Sequence, residues 1–150
     1  MIVVFFGHRD FIANDEHREK IISILHDFVG DSAVEFYLGG YGHFDDFAYR
    51  CCTSFAQNHE NTSLVFVTPY ITEEYQRNYL TEVTNKYHSI IYPDIENVPK
   101  RFAITYRNRY MVEKADLIIC YVKREYGGAF QAIKYAERKG KRIINIAERK

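Results

Sequence analysis

Apolar positions along the chain follow two alternating rhythms. Short, nearly continuous runs rich in β-branched and aromatic side chains occur at Ile2–Phe6, Val34–Leu38, Leu64–Val67, Leu117–Val122 and Ile143–Ile146, with a weaker one at Ser89–Tyr92. Such runs are what a strand covered on both faces requires. Between them, apolar residues recur at three- and four-residue intervals, as on one face of a helix. The stripes are Ile21, Leu25 and Phe28; Phe47, Cys51 and Phe55; Tyr75, Tyr79, Val83 and Tyr87; Ile104, Asn108, Met111 and Ala115; and Ala129, Ala132, Ile133 and Ala136. Asn14 and Thr72 stand where helix N-caps are wanted, and Gly30 and Gly140 stand where helices stop. The alternation predicts an α/β fold, a Rossmann-like three-layer domain with a mostly parallel sheet flanked by helices. A length of 150 residues suits one domain spanning 1–150.

Open parallel sheets bind ligands beyond the carboxyl ends of their strands, so the residues that follow each strand carry the chemistry. The first strand runs into Gly7-His8-Arg9-Asp10, where Gly7 permits close backbone approach and Arg9 offers a fork of donors. The second runs into Gly39-Gly40-Tyr41-Gly42-His43-Phe44-Asp45, with three glycines in four positions before a helix. Backbone N–H groups and the helix dipole suit an anion there. Pro69 follows the third strand. Lys123 to Ala129 follows the fifth and contains a second glycine pair, Gly127-Gly128, again opening a helix. Arg107 and Asn108 lie on an otherwise core-directed stripe and need polar partners. Backbone carbonyls and a ligand's phosphate or sugar both answer that need.

Several chemistries are excluded. The third glycine of the dinucleotide fingerprint is replaced by Asp45, the loop follows the second strand, and no acidic residue ends the third strand. Conventional NAD-dependent hydride transfer is therefore not expected. The six histidines show no metal-ligand spacing; only His8 and His43 fall in strand-end loops. There is no serine-hydrolase elbow and no P-loop lysine. Cys51, Cys52 and Cys120 suit buried thiols in a reducing cytoplasm.

Charge and composition shape the expected partners. Lys plus Arg equals Asp plus Glu at 20 each, which argues against both nucleic acid and an anionic membrane surface. No run approaches the roughly 20 apolar residues of a membrane span. The chain holds 13 Tyr and 11 Phe. The Tyr75, Tyr79 and Tyr87 face suits an interface, so a homodimer or higher homo-oligomer is expected.

Gly7-His8-Arg9, the Gly39–Asp45 loop, Val67-Thr68-Pro69-Tyr70, Arg107-Asn108-Arg109-Tyr110-Met111 and Tyr126-Gly127-Gly128-Ala129 occur in an order that resembles the SLOG superfamily, in particular its small stand-alone bacterial and phage-type members. The resemblance covers almost the whole chain. That superfamily includes the "lonely guy" phosphoribohydrolases, the DNA-processing protein of natural transformation, and sensor domains for cyclic nucleotides derived from NAD. It implies a nucleotide held between the two glycine loops. Loops and resemblance together nominate Gly7, His8, Arg9, Gly39, Gly40, Gly42, Asp45, Pro69, Arg107, Asn108, Tyr126, Gly127, Gly128 and Ala129 as ligand contacts. Arg107-Asn108-Arg109 is similar to the R-N-R of the DNA-processing branch. Arg107, Met111 and Asp116 match the R-K-x-x-M…A-D run of the hydrolases. The hydrolase motif P-G-G-x-G-T-x-x-E is incomplete, however: the third glycine, threonine and glutamate are absent from Tyr126–Ala132.

The expected function is a binding or sensor domain for a small nucleotide-type ligand, whether a nucleotide, NAD or an ADP-ribose-like molecule. No cofactor is fixed by the sequence. One alternative is an N-glycosidic phosphoribohydrolase acting on nucleoside monophosphates, with Asp45, Asp46 and Arg107 as candidate catalytic groups. A further alternative is a factor associated with single-stranded nucleic acid, against which the neutral charge balance weighs. Gly40→Asp is the variant the sequence suggests for blocking the loop.

Overall fold

The computed structural model describes residues 1–70 and 86–147. Its strands are β1 (Ile2–Gly7), β2 (Val34–Leu38), β3 (Thr62–Val67), β4 (Ser89–Ile91), β5 (Leu117–Tyr121) and β6 (Ile143–Asn145). They form one six-stranded sheet in the order β4-β3-β2-β1-β5-β6, parallel throughout. The helices are α1 (Asp15–Val29), α2 (His43–Ala56), α3 (Ala103–Lys114) and α4 (Gly128–Arg138), with a 3₁₀ turn at Lys100–Phe102 leading into α3. The stripe from Tyr75 to Val83 and its cap Thr72 lie outside the described residues. Among the described residues no helix is long and apolar enough to cross a membrane.

Successive side chains of a strand point to opposite faces, and among the described residues each face meets its own pair of helices. Val3 and Phe5 join Phe36, Leu64 and Ile119 in a core with Ile21 and Leu25 of α1 and Phe47 and Cys51 of α2. Val4 and Phe6 join Tyr37, Val65 and Ile118 in a second core with Met111 of α3 and Ile133 of α4. The result is the three-layer α/β architecture expected. Large rings fill much of it: Phe5, Phe36, Phe44 and Phe66 are among the fully buried side chains. Cys51, Cys52 and Cys120 are buried free thiols.

Three details depart from the pattern reading. β3 begins at Thr62, ahead of its first apolar residue, because the ladder to β2 already pairs Val34 with Thr62 and Glu35 with Ser63. The inward stripe of α3 is Ala103, Arg107 and Met111, whereas Ile104 is exposed and lines a cavity beyond the strand ends. Tyr87, expected on an exposed face, is half-buried and packs against Phe66 and Tyr49 at ring separations of 5.4 and 5.2 Å.

The close of β1 depends on one glycine. A Cβ at Gly7 would sit 2.1 Å from the Phe44 ring of α2. Phe44 is itself fully buried and packs against Phe11 at 5.2 Å, so it has nowhere to retreat. Gly7→Ala is expected to cost about 1–3 kcal/mol or more by overpacking, read as a lowered midpoint in urea unfolding. An unchanged midpoint would show that α2 slides along the sheet at little cost.

Candidate functional site

Strand order reverses at β1, which has β2 on one side and β5 on the other. A crevice opens at such a switch point beyond the carboxyl ends of the strands. A cavity of about 210 Å³ occupies it. Its wall includes Gly7, His8 and Arg9 after β1, Gly39, Tyr41 and Asp45 after β2, Ile104, Arg107, Asn108 and Met111 of α3, and Arg124, Gly127, Gly128 and Ala129 after β5. Most of the nominated residues are thus brought together by the fold.

The glycines divide by what they do. Gly40 (φ 64°) and Gly42 (φ 94°) do not line the cavity. A Cβ at Gly40 would strike the Phe66 ring at 2.3 Å, and one at Gly42 would meet the Arg9 backbone at 2.8 Å. Both are demanded by the backbone and by packing, so Gly40→Asp would test folding and not binding. Gly39 lies against the Arg107 guanidinium, with a built Cβ 3.2 Å from it. Gly127 (φ 95°) needs its conformation, but at both Gly127 and Gly128 a Cβ would meet nothing within 4 Å. At Gly128 neither packing nor backbone requires glycine.

The two helix N-termini at the crevice differ in charge. Each is capped by a glycine with nearly the same geometry, Gly42 at φ 94°, ψ 177° and Gly127 at φ 95°, ψ 174°, and neither has a side-chain cap. The first turn of α2, however, carries Asp45 and Asp46. Asp45 reaches back so that its Oδ2 accepts the Tyr41 N–H at 2.8 Å, and the His43 N–H donates to the Arg9 carbonyl at 3.0 Å. The positive end of that dipole is answered by the protein's own carboxylates. The first turn of α4 carries no acidic residue and opens on the cavity. Of the two glycine-rich loops, only the Gly127-Gly128 one opens a helix whose first turn lacks acidic residues.

Charged side chains on the wall are held by specific partners. Arg107 is buried; its Nη1 donates to the Val67 carbonyl at 2.7 Å and the Gly39 carbonyl at 3.2 Å, and its Nε to Asn108 Oδ1 at 2.9 Å. Arg107 thereby ties the ends of β2 and β3 to α3 while also facing the cavity. His8 Nε2 accepts the Lys123 N–H at 2.9 Å, joining the loops after β1 and β5. Burial, then the nearby Arg124, lower the His8 pKa, which keeps the ring in the neutral form that bond requires. Arg124 forks onto Asp10 with contacts of 2.9 and 3.1 Å. Arg9 lies 4.7 Å from the centre of the Tyr41 ring, and Arg124 lies 5.3 Å from that of Tyr126. Burial pushes the Asp45 carboxyl up to about 6, against the Tyr41 N–H and the charge of Arg107, which favour its ionised form.

The remaining nominations fall outside this wall. Pro69 is buried and does not line it. Tyr126 stands beside it, 65% exposed. Asp46 and His43 face a separate depression with Arg50, so Asp45 is the one candidate catalytic carboxylate in the cavity. Asp116 sits at the opposite end of the sheet, where its Oδ2 accepts the Ile2 N–H at 2.7 Å. Tyr41, Ile104, Met111 and Arg124 were not nominated. The signal for Arg124 was its place between β5 and the glycine pair, and for Tyr41 its place within the glycine loop.

No family model and no curated protein matches the chain. Solved structures do. DNA processing protein A from Helicobacter pylori, described for its single-stranded DNA binding mode, is 15% identical with a TM-score of 0.65; the match covers 99% of this chain and 66% of that one. The structural-genomics target TM1055 is 12% identical with a TM-score of 0.56, covering 95% of this chain and 71% of that one. The chain therefore spans about two thirds of the length of the H. pylori protein. These likenesses show a Rossmann-like fold. They also overturn the expectation that nucleic acid is not a partner, because the H. pylori protein of this fold binds single-stranded DNA. The physical reason is that a balance of 20 basic and 20 acidic residues says nothing of where the charges stand. Arg9, Arg107 and Arg124 gather on one cavity.

Proposed function

We propose that this SLOG-type Rossmann-like domain binds a nucleotide-type ligand by its phosphate, at the first turn of α4. The observation that carries the reading is the contrast between the two helix N-termini. One is neutralised by Asp45 and Asp46; the other meets the cavity with the bare backbone of Gly127 and Gly128. The unpaired N–H groups of a first helical turn and the dipole behind them favour an anion. Arg9 adds a guanidinium fork from the same wall, where Arg124 is forked onto Asp10.

Size narrows the ligand. At about 210 Å³ the cavity is smaller than the pockets that enclose a drug-sized molecule, about 300–1,000 Å³. A phosphate and its sugar fit inside, and the base is left to the rim. Tyr41 and Tyr126, 51% and 65% exposed, offer ring faces there. The same two rings, each with an arginine beside it, favour a second reading in which the nucleotide is one unit of a single strand. Single-strand binding surfaces combine base-stacking rings with cationic grooves, and the H. pylori likeness adds to this reading.

Isothermal titration with nucleoside monophosphates, NAD and ADP-ribose tests the first reading, and a thymidine oligonucleotide at two salt concentrations tests the second. Gly128→Asp is the control, since a Cβ there meets no atom within 4 Å and an acidic first turn suits the helix. The variant is expected to keep its fold and to bind at least about tenfold more weakly, a loss of about 1.4 kcal/mol. Absence of binding by the unmodified protein to every probe would overturn both readings. Tight, salt-sensitive binding of the oligonucleotide alone would favour the second.

A further inference from the structure

We infer that Asp10 regulates the anion site by competing with the ligand's phosphate for the Arg124 guanidinium, which makes Arg124 a clamp with two seats. This rests on the phosphate site proposed at α4. Arg124 lines the cavity and Asp10 does not. Asp10 draws the guanidinium to the rim, where Nη2 and Nη1 donate to its two carboxylate oxygens at 2.9 and 3.1 Å. Nε of Arg124 is buried and has no hydrogen-bond partner among the described residues. With the Nη1–Nη2 edge on Asp10 and Nε out of reach, no full edge of the guanidinium is offered to the cavity. A two-pronged grip on phosphate therefore requires release of Asp10.

The two members of the pair are held differently. Asp10 stands on a tight turn closed by the Phe11 N–H on the His8 carbonyl at 3.2 Å, and Phe11 is anchored in the core. Residues 124–128, by contrast, are half-buried or exposed, and a Cβ at Gly127 or Gly128 would meet nothing within 4 Å. The Lys123 N–H on His8 Nε2 fixes the base of this stretch, so Arg124 is the first side chain able to swing. Its seat on Asp10 is shallow. The two side chains are 35% and 71% exposed, and an ion pair open to water gains little over its hydrated ions. The unpaired Nε–H is a further cost of that seat. A phosphate carries more charge than a carboxylate and offers three acceptor oxygens. Ligand affinity is then lowered by the fraction of molecules in which Asp10 holds the guanidinium.

The test titrates inorganic phosphate and adenosine 5′-monophosphate into the unmodified protein, Asp10→Asn, Arg124→Gln and the double variant at one ionic strength. Asp10→Asn is expected to bind both probes about threefold more tightly, and Arg124→Gln about fivefold more weakly. Loss of the Asp10 charge also relieves plain repulsion of the anion, but that part survives without Arg124, and the double-mutant cycle subtracts it. In the Arg124→Gln background Asp10→Asn should change binding by less than about 1.5-fold, because an exposed charge is well screened. In the unmodified protein, the Nε–H nuclear magnetic resonance of Arg124, identified by its loss in Arg124→Gln, should shift as phosphate saturates the site. Unchanged or weaker binding by Asp10→Asn, equal tightening in both backgrounds, or a resonance that stays in place would each overturn this inference and leave the phosphate site standing. Absence of binding of both probes to all four proteins would overturn the phosphate site and this inference with it.

Discussion

Asp45→Asn is expected to make the protein more stable at neutral pH. The carboxyl pKa is raised from 3.8 to about 6 by burial, the largest cause, with the charge of Asp46 adding to it and the Tyr41 N–H and Arg107 opposing it. A raised pKa means that the folded protein holds the proton more tightly than the unfolded chain does. The stability it contributes is fully present below the unfolded value near 4 and is lost as pH rises through about 6. Over that window the ionising carboxylate removes up to about 3 kcal/mol. Asparagine carries no charge to desolvate and keeps an acceptor for the Tyr41 N–H. Its Tm at pH 7.5 should exceed that of the unmodified protein by about 5–10 °C, and the two should converge at pH 4. Thermal unfolding at both values checks this. An equal or lower Tm at pH 7.5 would mean that the carboxylate is satisfied where it stands and needs no ligand to explain it. A destabilising buried acid in a cleft is a mark of a functional group, because packing alone would favour its replacement.

Most of the scaffold was legible because it rests on local pattern. Each strand but β4 is a near-continuous apolar run, and the loops after β1 and β5 are marked by Gly7 and by Gly127-Gly128 at the switch point. What glycine means at each place was not legible. Gly40 and Gly128 look alike in the sequence, yet a Cβ at one strikes the Phe66 ring and at the other meets open space. That difference depends on β3 and α4, which only the fold brings into position. Asp45 reads as a lost fingerprint glycine and as a candidate ligand contact and catalytic carboxylate, but its hold on the backbone N–H four residues earlier depends on the course of the loop. The pairing of Arg124 with Asp10 joins positions 114 residues apart. The neutral charge balance misled for a related reason, since a sum over the chain erases the clustering of arginines at one site.

Removal of Arg107 is expected to have the larger structural effect, and to reveal how the scaffold and the site share one group. Its guanidinium, 4% exposed, ties the ends of β2 and β3 through the carbonyls of Gly39 and Val67. In Arg107→Ala those acceptors lose their donor inside the fold, at about 1–3 kcal/mol for each left unsatisfied. Asp45 also loses a charge that favours its ionised form. Together these predict a loss of about 3–5 kcal/mol at pH 7.5, the range found when one partner of a buried charged network is removed. Lysine restores the charge but not the fork, so Arg107→Lys should recover only part of the loss. The coupling to Asp45 is separable by a double-mutant cycle. Asp45→Asn should stabilise the Arg107→Ala protein by more than it stabilises the unmodified one, because the uncompensated carboxylate is then the dearer to bury. Urea unfolding of the four proteins gives the coupling energy directly. A loss below about 1 kcal/mol for Arg107→Ala would mean that water reaches both carbonyls through the cavity. The arginine would then be held in place for the ligand's sake, and its removal would register in nucleotide binding instead of in stability.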